Sequence, residues 1–194
     1  MAAEAVRRPV SKVVSSEDEH LILVDESDRE IGHLSKGACH DGVGVLHRAF
    51  SLFIFNSAGE LLLQQRSGEK RLWPLFWSNS CCSHPRRGET MEVATGRRLA
   101  QELGMTGRFH HLFTFQYQAP YLDIGSEHEV CWVFAGVSKE PPRPNANEIA
   151  DVRWIAADDL DREFEAQPEV FTPWFALEWP RVKTGAQEIL AGTP

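Results

Sequence analysis

The chain has 194 residues, 42% of them hydrophobic and 25% charged, which is typical of one globular domain with a sizeable core. Its formal net charge of -8 argues against a broad nucleic-acid surface, because such a surface needs a basic stripe. No apolar run approaches the roughly 18 residues that span a membrane, and no secretory segment is evident near the start. The four cysteines show no disulfide spacing. We therefore expect a cytoplasmic protein without nucleic-acid or membrane partners, which binds an anion only through a local basic pocket or a metal.

The predicted elements follow a polar and mixed segment over residues 1–18, which we expect to be mobile, and they form one domain over residues 19–194. In chain order we first predict a strand over 21–24, a short helical turn over 36–38 capped by Ser35, and strands over 50–55 and 61–65 joined by a hairpin at 56–59. We then predict a helix over 90–103 and strands over 109–117 and 130–137. A surface connection over 139–151, a strand over 152–155 and helices over 158–166 and 172–190 complete the chain.

The helix predictions depend on local signals. Apolar residues recur at helical spacing over 90–103, and Gly104 supplies a C-terminal stop. Gly96 inside this segment costs about 1 kcal/mol relative to alanine, so we expect this helix to depend on tertiary packing. Thr172 followed by Pro173 is typical of an N-cap with proline at the first helical position. The whole pattern predicts a single α/β (α+β) domain with a mixed sheet and a few helices.

The segment from Asn79 to Pro85 contains the densest set of reactive side chains. Cys82 lies two residues before His84 and ahead of a predicted helix start. Such a cysteine is compatible with a nucleophile, an acid/base group or a metal ligand, because a helix N-terminus or a nearby cation lowers the pKa of a thiol. The commoner role for one member of a Cys81–Cys82 pair is that of a small buried hydrophobe.

Glu127 and Glu129 are two residues apart at the start of a predicted strand, so both project from the same side and His128 points away. Two carboxylates on one side repel each other unless a cation or a proton lies between them. With three histidines they would suit a divalent ion such as Mn²⁺ or Zn²⁺, and the full set is His40, His47, His84, Glu127 and Glu129. Each histidine taken alone is more often an ordinary surface or core residue.

Residues 97–104 resemble the Nudix box, and Glu89 lies where that box has its first glutamate. Arg98 and Gln101 stand where the box has further glutamates, so water activation by Mg²⁺ lacks its carboxylates. Glu102 remains, and one carboxylate could still help to place Mg²⁺ on a diphosphate. The ordinary alternative is a solvated helix face with an Arg98–Glu102 pair.

A longer succession of motifs resembles the type I isopentenyl-diphosphate isomerase family. It consists of Cys39-His40, Leu46-His47-Arg48-Ala49-Phe50-Ser51, residues 61–66, Trp73-Pro74, Trp77, residues 79–85, residues 127–130 and Thr172-Pro173-Trp174. The succession extends from about residue 19 to about residue 180 in the expected order. The resemblance implies a Nudix-like α/β/α sandwich that interconverts isopentenyl and dimethylallyl diphosphate in isoprenoid biosynthesis.

The resemblance also implies a role for particular residues. It implies Cys82 and Glu129 as the acid/base pair, with Tyr117 and Trp174 lining the hydrocarbon end of the site. It implies a main ion, Mn²⁺ or Zn²⁺, held by His40, His47, His84, Glu127 and Glu129. It implies Mg²⁺ on the substrate diphosphate, supported by Glu102 and the carbonyl of Cys82, and diphosphate contacts from Lys36, Arg66, Lys70 and Arg98.

Other classes of protein fit the residues less well. A Nudix hydrolase of a nucleoside diphosphate derivative would need the missing glutamates and gives Cys82 no role. A non-catalytic metal-binding domain does not account for a basic pocket, a cysteine–glutamate pair and an aromatic lining together. A flavin-dependent isomerase would need a barrel pattern and a phosphate loop that do not appear. We therefore expect a metal-dependent isomerase, acting as a monomer on a small-molecule diphosphate by adding one proton and removing another.

Overall fold

The computed structural model describes residues 12–191. Its elements are β1 (His20–Val24), β2 (Glu30–Ser35), α1 (Lys36–Cys39), β3 (His47–Phe55), β4 (Leu61–Arg66), β5 (Trp77–Ser78), β6 (Cys81–Ser83), α2 (Met91–Leu103), β7 (His110–Tyr121), β8 (Gly125–Val137), β9 (Ile149–Ile155), α3 (Ala157–Ala166), a short 3-10 helix (Pro168–Val170) and α4 (Pro173–Ala191). None of the helices within the described residues combines the length and the hydropathy that crossing a membrane requires.

The strands form one mixed sheet around β3. This strand pairs in parallel with β8 over its whole length, from His47 opposite Glu129 to Phe55 opposite Val137. It pairs antiparallel with β1, β4 and β6, while β7 and β8 form a long antiparallel hairpin. The strands β2, β5 and β9 extend the sheet outwards by pairing with β1 and β4. The predicted mixed sheet is confirmed.

Helices cover both faces of this sheet. Successive residues of a strand point to opposite faces, so β3 contributes to two separate cores. Phe50 belongs to the core under α2 together with Leu99. Phe53 belongs to the core under α4, where its ring lies 6.1 Å from that of Phe175. The sheet is therefore the middle layer of three, and the expected α/β/α sandwich in a single domain is confirmed.

The helix α2 ends at the predicted residue and begins one residue later than predicted. The side chain of Thr90 accepts a hydrogen bond from the backbone N–H of Val93 at 3.3 Å and so caps α2. Gly104 ends the helix with a φ of 60°, in the left-handed region that glycine adopts without steric cost. Ser35 does precede α1, but its side chain makes no capping hydrogen bond, so that part of the prediction is wrong.

The predicted surface connection over residues 139–151 is wrong in its second half. The side chain of Asn145 is 0% exposed and donates a hydrogen bond to the carbonyl of Lys12 at 2.7 Å. Glu148 is 3% exposed, and β9 begins at Ile149 rather than at Val152. A segment rich in proline and asparagine looks like a solvated loop, whereas here its polar groups find partners inside the protein.

Candidate active site

A cavity of about 490 Å³ opens beside the N-terminal end of β3. Most of the side chains that the sequence singled out belong to its wall, namely Lys36, His40, Arg66, Lys70, Cys82, His84, Arg98, Tyr117, Glu127, Glu129 and Trp174. His47 lies fully buried next to the histidine and glutamate side chains of this wall, and Glu102 lies behind the wall. The fold therefore assembles nearly the whole predicted set around one space.

The register of the sheet brings the predicted metal ligands together. Glu129 in β8 lies opposite His47 of β3 on one side and opposite Tyr117 of β7 on the other. Glu127 is two residues earlier and therefore projects from the same face of β8. His84 follows β6, which pairs with β3, and His40 ends α1. Residues far apart in the chain become neighbours because their strands pair in this order.

These five residues form a compact histidine–glutamate cluster. One ligand atom from each of His40, His47, His84, Glu127 and Glu129 lies within 4.8 Å of all the others. His40 Nε2 is 2.8 Å from Glu127 Oε2, and His84 Nε2 is 2.9 Å from Glu129 Oε1. His47 Nε2 is 3.7 Å from the same Glu129 oxygen, too far for a hydrogen bond.

The ring orientations in this cluster match those of metal ligands. His40 Nδ1 lies 2.7 Å from the carbonyl of Lys36, and His47 Nδ1 lies 2.7 Å from the carbonyl of Val45. A carbonyl only accepts, so each Nδ1 carries the hydrogen and each Nε2 turns towards the cluster with a lone pair when the ring is neutral. Among the described residues, the buried His47 Nε2 has no hydrogen-bond partner. A divalent cation would satisfy these atoms together with the two carboxylates, so the donor set fits one.

The acidic and basic groups of the cluster shift each other's pKa values. Burial raises the pKa of Glu129, but the attraction of His47 and the hydrogen bond from Tyr117 outweigh burial and hold the pKa below its usual value. Burial lowers the pKa of His40, but Glu127 and the carbonyl of Lys36 outweigh it and raise the pKa to about 9. Burial also raises the pKa of Glu127, but the attraction of His40 outweighs burial and lowers it, so both carboxyl groups are held as anions.

Cys82 and Cys81 point to opposite faces of the short strand β6. Cys81 is part of the core under α2, whereas Cys82 faces the cavity. Burial raises the pKa of the Cys82 thiol to about 12, although the charge of Arg66 acts against the rise. Arg66 NH1 lies 3.9 Å from Cys82 Sγ, and its other nitrogens donate to the carbonyls of Leu72 and Trp73.

The two predicted aromatic residues belong to the apolar part of the wall, together with Phe50 and Leu72. The indole of Trp174 is held by hydrogen bonds from Nε1 to Ser78 Oγ at 3.0 Å and Asn79 Oδ1 at 3.2 Å. Its ring lies 6.3 Å from that of Tyr117, whose hydroxyl donates to Glu129 Oε2 at 2.7 Å. Burial raises the pKa of Tyr117 well above its usual value, so its hydroxyl stays a donor.

The basic residues of the wall carry counter-charges that the sequence did not reveal. Arg98 donates from Nε to Glu102 Oε1 at 2.8 Å, and this pair is buried rather than on a solvated helix face. Arg98 also pairs with Glu148, as does Lys70. Arg71 lines the cavity too and pairs with Asp41. Glu148 and Arg71 were missed, because one lay in the presumed surface connection and the other beside Lys70 with no separate signal.

The N-terminal segment forms another part of the wall. Of the residues 1–18 predicted to be mobile, residues 1–11 lie outside the described part of the chain. Val14 accepts a hydrogen bond on its carbonyl from Arg98 NH1 at 3.0 Å, and Ser15 Oγ accepts one from Lys36 Nζ at 2.7 Å. The side chains of Glu17 and Glu19 also face the cavity. This segment thus lies directly over the basic residues.

Comparison with known proteins agrees with this geometry. The NUDIX domain family matches residues 45–175. The isopentenyl-diphosphate Delta-isomerase 1 of Photorhabdus laumondii is 42% identical over 163 residues, covering 83% of this chain and 93% of that protein. The isopentenyl-diphosphate Delta-isomerase of Nocardia farcinica is 40% identical, covering 79% of this chain and 89% of that protein. The chain belongs to the isopentenyl-diphosphate Delta-isomerase family.

Solved structures share the fold of this chain. A protein from Deinococcus radiodurans superposes with a TM-score of 0.62 at 26% identity, over 76% of this chain and 90% of its own. A MutT NUDIX hydrolase from Burkholderia pseudomallei superposes with a TM-score of 0.58 at 21% identity, over 71% of this chain and 98% of its own, which shows the fold alone. This chain therefore shares its fold with a MutT NUDIX hydrolase.

Proposed function

We propose that this protein interconverts isopentenyl diphosphate and dimethylallyl diphosphate, with Cys82 and Glu129 as the proton-transfer pair. The observation that carries the proposal is that both groups line one cavity, which also has an aromatic wall and a set of basic residues. The names of the relatives described above support the same substrate pair.

The chemistry explains why both groups are needed. Moving the double bond requires a proton to be added at one carbon and another to be removed two carbons away. An unactivated alkene is a very weak base, and its protonation makes a tertiary carbocation. The site therefore needs one group that donates a proton, one that accepts a proton, and surroundings that tolerate positive charge without attacking it.

The residues around the pair suit these demands. Tyr117 donates a hydrogen bond to Glu129 and so fixes the direction of its carboxyl group. Trp174 offers a π face, which stabilises a cation by about 2 kcal/mol or more when water is absent and has no lone pair to trap it. Water must be excluded, since it would convert the carbocation into an alcohol.

The diphosphate does not react, and its binding energy holds the small hydrocarbon tail in place. Lys36, Arg66, Lys70 and Arg98 are the residues that we propose to contact it, since all four line the cavity. Lys36, Lys70 and Arg98 are already paired with carboxylates, so Mg²⁺ near Glu102 would supply further positive charge for the diphosphate. A divalent ion in the histidine–glutamate cluster, for which we propose Mn²⁺ or Zn²⁺, would orient Glu129 and increase the acidity of its protonated form.

Hydrolysis of a nucleoside diphosphate derivative is the alternative reaction on this fold. The hydrolase would need carboxylates on α2 to hold Mg²⁺ and activate water. Arg98 and Gln101 stand where the box has two of these carboxylates, and Glu102 alone does not make up the set that activates water. A hydrolase would also have no use for a thiol at Cys82. The site therefore supports the isomerase more strongly.

The test follows isopentenyl diphosphate labelled at its allylic protons. The wild type should convert it, while Cys82→Ala and Glu129→Gln should abolish conversion and retain the wild-type circular dichroism spectrum. Cys81→Ala is the matched control, because this neighbouring thiol faces the core under α2, and it should retain conversion. Phosphate release from nucleotides without an allylic product would establish the hydrolase instead.

A further inference from the structure

Glu148 is a buried carboxylate of the cavity wall that proton transfer does not use. Its Oε2 forms an ion pair with Lys70 Nζ and lies 3.2 Å from Arg98 NH2. The side chain is only 3% exposed, so both interactions are shielded from solvent. One carboxylate therefore bridges two of the four residues that we propose to contact the diphosphate.

The backbone fixes Glu148 relative to the segment that carries Lys70. The N–H of Ser67 donates to the carbonyl of Glu148 at 2.9 Å, and the N–H of Lys70 donates to the carbonyl of Ser67 at 3.2 Å. The N–H of Glu148 in turn donates to the carbonyl of Asn145, whose side chain is buried. The carboxylate is thus held on a defined turn and is not a mobile surface charge.

Arg98 is fixed on several sides at once. Its Nε donates to Glu102, its NH1 donates to the carbonyl of Val14, and its NH2 lies against Glu148. The charge of Glu148 also acts on Lys36. Burial and the charge of Lys70 lower the pKa of Lys36, and the charge of Glu148 opposes this shift. Lys70 and Arg98, which would repel each other, therefore share Glu148 as a common counter-charge.

An anion in this place can hold the cations without occupying all their donors. A lysine ammonium has three N–H donors, and Glu148 uses one of those of Lys70. A free lysine side chain has high rotamer entropy, which would be lost each time a ligand ordered it. A fixed counter-charge removes that loss in advance, which is the general advantage of a preorganised site. Its cost is repulsion of an incoming anion, which acts in the opposite direction.

We propose that Glu148 is a positioning residue, which holds Lys70 and Arg98 in the geometry that binds the diphosphate group. Positioning outweighs repulsion, because without Glu148 two shielded cations lose a shared partner and Lys70 is free to turn towards solvent. This inference rests on the proposed function, since it takes the diphosphate group as the ligand. It assigns Glu148 to binding, so the proton-transfer step itself does not depend on it.

The first experiment compares Glu148→Gln with the wild type. We expect a rise of about tenfold in KM for isopentenyl diphosphate, with kcat changed by less than about twofold. The dissociation constant for inorganic pyrophosphate with Mg²⁺, measured by calorimetry, should rise by a similar factor. Tighter or unchanged pyrophosphate binding would overturn the proposal, as would a fall in kcat at constant KM.

Two further variants separate positioning from a general loss of stability. Glu163→Gln removes a carboxylate that pairs with Arg153 at 2.9 Å outside the cavity, and it should leave pyrophosphate affinity unchanged. In a Lys70→Ala background, Glu148→Gln should weaken pyrophosphate binding much less than in the wild type, since the two residues act together. Equal effects in both backgrounds would contradict the proposal.

Glu148→Asp covers the case in which the glutamine variant does not fold. It keeps the charge but shortens the reach, so its pyrophosphate affinity should lie below that of the wild type, and wild-type affinity would overturn the proposal. The pyrophosphate measurements do not require turnover. If the wild type fails to isomerise, the proposed function fails, while pyrophosphate binding still decides the role of Glu148.

Discussion

Replacing Trp174 with leucine removes a π face from the cavity and leaves the acid/base groups in place. The face is already suited to positive charge, because the guanidinium carbon of Arg66 lies 5.2 Å from the ring centroid. A carbocation exists only during the reaction and not in the bound substrate. Loss of the ring should therefore lower kcat more than it raises KM.

The size of the effect follows from the cation–π interaction. A desolvated cation over an indole gains about 2 kcal/mol, and each 1.36 kcal/mol changes a rate about tenfold. We therefore expect kcat to fall about thirtyfold in Trp174→Leu. In Trp174→Phe a weaker π face remains, and a fall of only about three- to fivefold is expected.

Trp179→Leu is the matched control for lost packing. Both tryptophans belong to α4, both are 3% exposed, and both donate a hydrogen bond from Nε1, in the case of Trp179 to Asp161 at 2.7 Å. Each leucine variant should lose about 2–3 kcal/mol of stability in urea denaturation. Only the change at Trp174 should lower kcat, measured with labelled isopentenyl diphosphate at saturation.

Two outcomes would refute this reasoning. If Trp174→Leu and Trp174→Phe lose the same activity, the π face does not stabilise the cation. If Trp179→Leu slows the reaction as much as Trp174→Leu does, the effect comes from packing under α4 and not from contact with the reacting carbon.

Three further predictions concern the metal and the scaffold. Thorough chelation should abolish isomerisation and lower the melting temperature. An ion present at about 1,000 times its dissociation constant adds about 4 kcal/mol to the free energy of unfolding. Retained activity would remove the metal from the mechanism. Gly96→Ala should stabilise the protein by about 0.5–1 kcal/mol, because nothing lies within 4 Å of the added Cβ. Gly136→Ala should destabilise it by about 1–3 kcal/mol, because the added Cβ would clash with the backbone carbonyl of Arg108. Urea denaturation giving the reverse order would contradict the packing described. Asp28→Asn should lower the free energy of unfolding by about 1–3 kcal/mol in the same assay, since Asp28 accepts hydrogen bonds at 2.7 Å from both Arg48 and Trp132. Asparagine tolerates the φ of 58° at this position, so the backbone should not add to the loss. An unchanged stability would show that these hydrogen bonds contribute nothing.

Elements with local signals could be predicted from the sequence. The helix α2 begins after its cap Thr90 and ends at Gly104, because capping depends on residues within one turn of the helix end. The apolar run over residues 50–55, followed by a hairpin signal, predicted the strand β3, whose two faces contribute to the two cores. The strands β5 and β6 were missed because two or three residues show no periodicity, and β2 was missed because it has no apolar run and no buried residue.

The membership of the site could also be predicted in large part, since the family motifs name residues by type and order. The resemblance grouped His40, His47, His84, Glu127 and Glu129, and the structure brings their ligand atoms within 4.8 Å. It proposed Cys82 rather than Cys81 for the chemistry, and only Cys82 faces the cavity. The roles of these residues in turnover stay predictions for the experiments above.

The surroundings of the site were decided only by the tertiary structure. The sequence suggested a solvated Arg98–Glu102 pair and a loop around Glu148, but both carboxylates are buried against the same arginine. No local pattern predicts this, because it depends on where β9 and the N-terminal segment pack. The chain thus determined by itself which side chains could carry the chemistry. Long-range pairing of β3 with β8, and burial of the charges behind the cavity, decided how those side chains are held.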